Sequence, residues 1–465
     1  MIELHPADWI IICLYFIIVI WAGIARSKKD NGSDENYILS GRKLSLPGFI
    51  ASLVTTWYGG ILGIGENTYL YGIQTWSIFG LPYYIFAYMY AYWLTEKIYK
   101  KKMISIPDHF RQYFGERPGV ISALLLVFLA SPAPYILSMG VLFQFLFQIN
   151  FGLSLFISIL LSIVYVWNGG FTAIVRTDKV QFIFMFFGFI ILFLFCYGIY
   201  GSPLKIYKSL PDLHRDILGG NSLQYLAVWF FIAAWTIIDP SFYQRCAAAK
   251  TPKIAKKGLL ISIGFWAIFD FLTIFTGLYA VNTFQTNNPL LTYPLLAQNI
   301  LPIGILGFFL AGIFAIIMST IDSFSLISAI TFGRDILWRI QKPQLKNSSV
   351  LMIKRGILVT SFISFLLAYS IPSVVKLFYS IGSTIIPGLI LPFLSTLHKN
   401  IRPISEKNAL AWILTPVFLS LIWLLISLIN GKSLLGIEPF YPGFFLSISL
   451  GLYFKQIGNL RNIFR

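Results

Sequence analysis

Thirteen apolar runs recur along this chain, on the scale of the roughly 17 to 25 residues that a helix needs to cross a hydrocarbon core. They fall at about 8–25, 46–72, 75–95, 119–146, 153–168, 181–200, 224–243, 258–281, 302–332, 356–371, 377–396, 409–429 and 441–454. No other feature constrains the fold as strongly. Lipid offers no partner to a free backbone N–H or C=O, so such runs are satisfied internally, as helices. The expectation is an all-α polytopic membrane protein with 13 transmembrane helices. Residues 1–9 contain no Lys or Arg, so the first run lacks the basic flank of a cleaved signal peptide and reads as a retained helix.

Only 11% of the 465 residues are charged, against about 25% in an ordinary soluble domain, which excludes a soluble globular enzyme. The formal charge is nonetheless +17, from 35 Lys and Arg against 18 Asp and Glu, a balance that in a soluble protein suggests nucleic acid. Position along the chain decides otherwise. Of the 35 basic residues, 30 fall in alternate loops, and the other loops hold only Lys205, Lys208, Arg215, Lys376 and Lys432. By the positive-inside rule the amino terminus is outside and the carboxy terminus cytoplasmic. The expected location is a plasma (inner) membrane, of a bacterial kind. The implied partners are a small-molecule solute and the lipid bilayer, with no nucleic acid and no obligate protein partner.

Cys13, Cys196 and Cys246 lie far apart, as do His5, His109, His214 and His398. No metal-ligand, disulfide or hydrolase spacing links them. No Gly-x-x-x-x-Gly-Lys-Ser/Thr loop is present, and no soluble segment is long enough for a nucleotide-binding or sensor domain. The chain reads as a carrier and not an enzyme.

Two runs are interrupted. The second contains Thr55-Thr56-Trp57-Tyr58-Gly59-Gly60, then Gly63, Gly65 and Glu66; the seventh contains Trp235-Thr236, then Asp239-Pro240. Pro removes a donor from the helix ladder, and freed backbone groups at membrane depth must face protein or a cavity. The two runs lie five apart, so five spans (46–200) and the next five (224–396) read as inverted copies. Paired discontinuous helices of this kind point to the substrate site of a secondary transporter. The plainer alternative is that Gly59 and Gly60 allow close packing and Pro240 kinks a helix.

Four carboxylates lie within the runs, Glu66, Asp239, Asp270 and Asp322, with Asp178 at a helix start and no Lys or Arg inside the spans to neutralise them. A carboxylate at a helix centre costs about 2.5–3.5 kcal/mol on insertion scales, so each is protonated, faces water or is completed by a cation. Asp322 belongs to a polar patch, Met318-Ser319-Thr320-Ile321-Asp322-Ser323, in which helical spacing places Ser319, Asp322 and Ser323 on one face. Hydroxyl and carboxylate oxygens suit a small hard cation rather than zinc or copper.

At this point the sequence resembles the sodium/solute symporter family. The matching stretches are Gly41-Arg42-x-Leu44, Gly169-Gly170 with Thr177-Asp178-x-x-Gln181, Gln244-Arg245-x-x-Ala248-Ala249-Lys250, and Met318-Ser319-Thr320 with Asp335. The resemblance implies a LeuT-type bundle of five plus five inverted helices, with one extra helix before and two after. The chain then divides into 1–44, a first repeat 45–200, a connection 201–223, an inverted repeat 224–398 and a tail 399–465. It implies Na+ as the coupling ion, held by the backbone carbonyls of Thr55, Tyr58 and Ile316 and the hydroxyls of Ser319 and Thr320. A second cation, present in some relatives, would take Asp178, Asp322 and Ser323. Asp322 stands where a hydroxyl is common in the family and either strengthens that cation or holds a proton.

The solute is expected between the two breaks, against Trp57, Gly59, Leu62 and Glu66 on one side and Trp235, Thr236 and Asp239 on the other. Asp270 lies one turn from a substrate-contacting position of relatives and leans toward an amine-bearing solute. The run 119–146 has no Arg, which disfavours sialic acid. Besides a sodium-coupled symporter, two readings stay open: a proton-coupled carrier using Glu66, Asp239 or Asp322, and a solute sensor that does not transport.

Overall fold

The computed structural model describes residues 4–24, 33–341, 349–397 and 403–456. His398 and the basic residues within 25–32, 342–348, 398–402 and 457–465 lie outside the described residues. All regular structure among the described residues is helical, apart from one isolated parallel bridge between Leu44 and Ala249. The principal helices are α1 (Pro6–Ile24), α2 (Leu46–Trp57), α3 (Ile61–Tyr71), α4 (Leu81–Met89), α5 (Ile106–Phe114), α6 (Glu116–Leu129), α7 (Ala133–Phe147) and α8 (Phe151–Tyr200). They are followed by α9 (Leu223–Ile232), α10 (Trp235–Ile238), α11 (Pro240–Ala248), α12 (Pro252–Thr283), α13 (Ile305–Ala329), α14 (Val350–Ser370), α15 (Val374–Thr396), α16 (Glu406–Asn430) and α17 (Phe440–Tyr453).

Among the described residues nine helical stretches are long and apolar enough to cross a membrane, or ten if α2 and α3 form one span bent by 52°. Phe151–Val164 and Phe440–Tyr453 are apolar but shorter. The thirteen expected spans are therefore not all of full length. The run 75–95 is helical but broken up by wider π-helical turns at Trp76–Gly80 and Tyr90–Leu94.

Local chemistry explains each interruption. Helix α2 ends at Trp57, Tyr58 leaves helical geometry, and the chain restarts at Ile61 after Gly59 and Gly60. Pro240 opens α11, where its missing N–H is not needed. Asp239 caps the helix, its Oδ1 accepting from the N–H groups of Ser241 at 2.6 Å and Phe242 at 3.3 Å. Within α8, Gly170 adopts φ +52°, and a Cβ there would lie 2.4 Å from the Tyr37 carbonyl oxygen. Only glycine meets both conditions, so α8 is two spans joined at a glycine corner.

Helix α13 is the axis of the bundle. From Leu306 to Ala329 every residue except Phe308 is buried, as expected of a helix apolar on all sides. It packs on α8, α1, α2, α7 and α14. Asp8 of α1 caps it, with Oδ1 accepting from Gly304 N and Gly307 N at 2.8 Å each, a negative charge at the positive end of the helix dipole. Outer helices turn large apolar side chains outward, such as Ile17 and Trp21 on α1 and Phe418 and Ile429 on α16, a surface suited to lipid.

Candidate functional site

The break after α2 faces the middle of α13. Thr320 Oγ1 lies 3.0 Å from the Thr56 carbonyl, 3.4 Å from that of Thr55 and 3.2 Å from that of Ile316. Ser319 Oγ donates to Asp178 Oδ1 at 2.6 Å and lies 2.8 Å from Thr55 Oγ1. Thr55, Asp178, Ile316, Ser319 and Thr320 are fully buried. Asp178 Oδ2 is buried with no hydrogen-bond partner among the described residues. Buried carboxylate oxygens are rarely left so, and the vacant oxygen fits a hard cation held by carbonyl, hydroxyl and carboxylate oxygens. No group of three or more His, Cys, Asp or Glu that could hold a metal ion occurs among the described residues. Gly59 backs onto the same cluster, since a Cβ there would lie 2.4 Å from Thr320 Cβ.

The side chains of Tyr58, Asp322 and Ser323 have partners of their own. Tyr58 turns its hydroxyl toward α12, 2.9 Å from both Asp270 Oδ1 and the Trp266 carbonyl. Asp322 Oδ1 accepts from Ser162 Oγ at 2.8 Å. Ser323 Oγ lies 3.0 Å from Thr56 Oγ1 and accepts from Arg245 Nη2 at 2.9 Å.

Arg245 corrects the reading that no cation is available within the spans. It is 0% exposed, because the helix continues past Pro240 as far as Ala248 and carries the residue into the bundle. Its guanidinium donates to Ser52 Oγ and O, Thr56 Oγ1, Ser241 O and Ser323 Oγ, at 2.7–3.3 Å. A rigid fork of five donors suits such a set of neutral acceptors.

Between the two helix breaks lies a partly open cavity, the kind of concave, mostly apolar place where small molecules bind. Trp57, Gly60 and Gly63 line it from the first break, and Trp235, Thr236 and Asp239 from the second. Tyr83, Tyr135, Phe324 and Phe378 close its sides. The Trp235 indole N–H and the Thr236 hydroxyl are buried without a partner among the described residues. Four of the eight expected solute-contacting residues thus line this cavity: Trp57, Trp235, Thr236 and Asp239. The other four do not. Gly59 faces Thr320, Leu62 is fully buried, and Asp270 is held by the hydroxyls of Tyr58 and Tyr84. Glu66 lies on α3 with Oε2 buried and unpartnered among the described residues.

A second polar cluster, not evident from sequence, lies at the C-terminal end of α13. Asp108 of α5 meets Arg334 at 3.0 Å, Arg339 at 3.3 Å and Arg111 at 3.6 Å, and Arg334 also pairs with Asp335. Burial opposes the Asp108 charge, but Arg334, with Arg339 and Arg111, outweighs it and holds the carboxyl below the usual range. The separation of 226 positions between Asp108 and Arg334 leaves no local spacing by which the pair could be found.

The sodium:solute symporter family profile matches residues 37–428, and the chain belongs to that family. The osmoregulated proline transporter OpuE of Bacillus subtilis is 25% identical over 96% of this chain and 93% of its own. The high-affinity choline transporter 1 of Drosophila melanogaster is 24% identical over 93% of this chain and 72% of its own. The solved structure of a Na+-coupled sialic acid symporter, in a substrate-bound outward-open state, superposes with TM-score 0.75 at 18% identity, covering 99% and 98% of the two chains. The fold is therefore of the LeuT type.

Proposed function

We propose that this protein is a sodium-coupled symporter that imports a small organic solute by alternating access across a plasma membrane. The observation that carries the reading is the meeting of Thr320 with the Thr55 and Thr56 carbonyls at the first helix break, and of Ser319 with the Thr55 hydroxyl and Asp178, beside a cavity lined by both breaks. Sodium would be held by Thr55, Tyr58, Ile316, Ser319 and Thr320, with Asp178 adjoining. The vacant oxygen of Asp178 supports this assignment. Ser323 spends its hydroxyl on Arg245, which weakens the case for a separate second cation on Asp178, Asp322 and Ser323. Segments 45–200 and 224–398 would be the inverted repeats, moving against one another around the midplane site, with the amino terminus outside. Each sodium entering gains about 2.3 kcal/mol per 100 mV, enough to draw a solute uphill.

The test is thermal stability of the purified protein titrated with NaCl, with KCl holding ionic strength constant. A ligand that binds only the folded state raises stability by about 2.7 kcal/mol at a hundredfold excess over Kd. Sodium is expected to stabilise the native chain, and Ser319→Ala and Thr320→Ala to remove that effect. Undiminished sodium stabilisation in both variants overturns the site. Uptake that needs no sodium and is abolished by a protonophore would favour proton coupling instead. Binding with no flux into liposomes would favour a sensor.

A further inference from the structure

We infer that the solute of the central cavity is a small methylated ammonium compound, an organic cation enclosed by aromatic rings with Asp239 as its counter-charge. This deepens the symport reading and rests on it only for the coupling to sodium. Eight of the eighteen residues lining the cavity are aromatic, and Asp239 is the one charged residue among them. The rings meet at steep angles, as the walls of a box do: Trp57 and Tyr83 at 4.6 Å and 69°, Trp57 and Phe242 at 6.0 Å and 82°, Trp235 and Phe378 at 6.4 Å and 74°. Aromatic quadrupoles attract a desolvated cation, and the attraction is strongest for tryptophan.

Asp239 is 5% exposed. One of its oxygens caps α11 through the N–H groups of Ser241 and Phe242, and the Ser241 side chain also bonds the carboxylate. Arg245, close enough to influence its charge, does not line the cavity, and its hydrogen bonds go to Ser52, Thr56, Ser241 and Ser323. A solute carboxylate would therefore meet Asp239 with no basic residue lining the cavity to receive it. A primary ammonium brings three N–H donors, each needing an acceptor, whereas a quaternary, fully methylated ammonium brings none and is satisfied by ring faces and one carboxylate. The unpartnered Trp235 N–H and Thr236 hydroxyl remain for a hydroxyl at the other end of the ligand.

The experiment uses the full chain, purified and reconstituted, with choline as the methylated ammonium, glycine betaine and proline as zwitterions and glucose as the neutral polyol. Thermal stabilisation and liposome uptake are each read in sodium and in potassium. Choline is expected to bind, with tetramethylammonium competing. Asp239→Asn keeps an oxygen to cap α11 and should weaken choline binding roughly tenfold or more, as should Trp57→Leu. Absence of choline binding, or Asp239→Asn and Trp57→Leu that both fold and bind choline as the native chain does, overturns the inference. Sodium-dependent uptake of proline or glucose without choline binding also overturns it and leaves the symport reading standing. Choline binding that is equal in sodium and potassium has the opposite meaning: the cavity assignment holds and sodium coupling fails.

Discussion

Adjacent glycines at the first helix break should separate the ion from the solute. A methyl group at Gly59 would lie 2.4 Å from Thr320 Cβ and 2.5 Å from Thr320 Oγ1, more than an ångström inside the roughly 3.5–4.0 Å of optimal carbon contact. The neighbour is a β-branched side chain on a fully buried helix, so it cannot swing aside. Overpacking of this kind costs about 1–3 kcal/mol. Relief means moving Thr320 away from the carbonyls of Thr55 and Thr56 that its hydroxyl now meets. At Gly60 the same methyl would lie 3.1 Å from Phe378 Cε2 and 3.4 Å from Val374 Cγ1, a milder contact with two residues that line the cavity. Gly59→Ala should therefore shift the sodium midpoint in the NaCl titration at least about tenfold, or 1.4 kcal/mol. Gly60→Ala should keep the native midpoint and lose solute binding. Equal sodium midpoints in native protein and Gly59→Ala, with both folded, would refute the assignment of Thr320.

Other outcomes follow from buried charge. Replacing Arg245 by Met strips a donor from Ser52, Thr56, Ser241 and Ser323 at once and should cost on the order of 3 kcal/mol, read as a fall in melting temperature. Arg245→Lys should recover little, since a compact ammonium cannot span those acceptors. Asp108→Asn leaves Arg334 with Asp335 as its one carboxylate partner and should cost about 3 kcal/mol, again measured by thermal melting. His109 of α5 is buried between Tyr243 and Thr396. Burial, reinforced by Lys101 and opposed by Asp108, pushes its imidazole down to about 3. The unfolded chain takes up that proton near pH 6.5 and the folded chain does not. The group thus leaves stability unchanged above that pH and erodes it as pH falls from about 6.5 toward 3. Between pH 8 and pH 5 the loss is about 2 kcal/mol, and His109→Gln should abolish that part of the acid sensitivity.

How much of this was legible in the sequence depends on whether the signal was local. The two breaks could be read because Tyr58-Gly59-Gly60 and Asp239-Pro240 interrupt apolar runs by themselves. The glycine corner was visible as Gly169-Gly170, though not the Tyr37 carbonyl that makes glycine necessary there. Arg245 was misread because counting basic residues by loop assigns any Arg near the end of a run to the aqueous side. A helix that begins again at Pro240 carries its last turns inward instead. The partners of Asp270 and Asp108 were out of reach for another reason. Tyr58 is 212 residues from the first, and Arg334 is 226 from the second. No periodicity links side chains that only tertiary packing brings together. A cavity does lie between the breaks, but its walls come equally from residues such as Tyr83, Tyr135, Phe324 and Phe378, which one helix at a time look like ordinary lipid-facing or packing aromatics.

Asp270 has a mechanical consequence. Its two oxygens meet Tyr58, at the break itself, and Tyr84 on α4, while its own backbone belongs to the 32-residue helix α12. One carboxylate is thus a three-way joint that fastens the weakest point of a discontinuous helix to α4 and to the long helix α12. The break is pinned on both faces, by hydroxyls of α13 on one and by this joint on the other. A rigid shift of α12 during the transport cycle would pull on Tyr58 and so change the spacing between the backbone at the break and Ser319 and Thr320. The proposed ion site would therefore register the position of a helix that contributes no ligand to it.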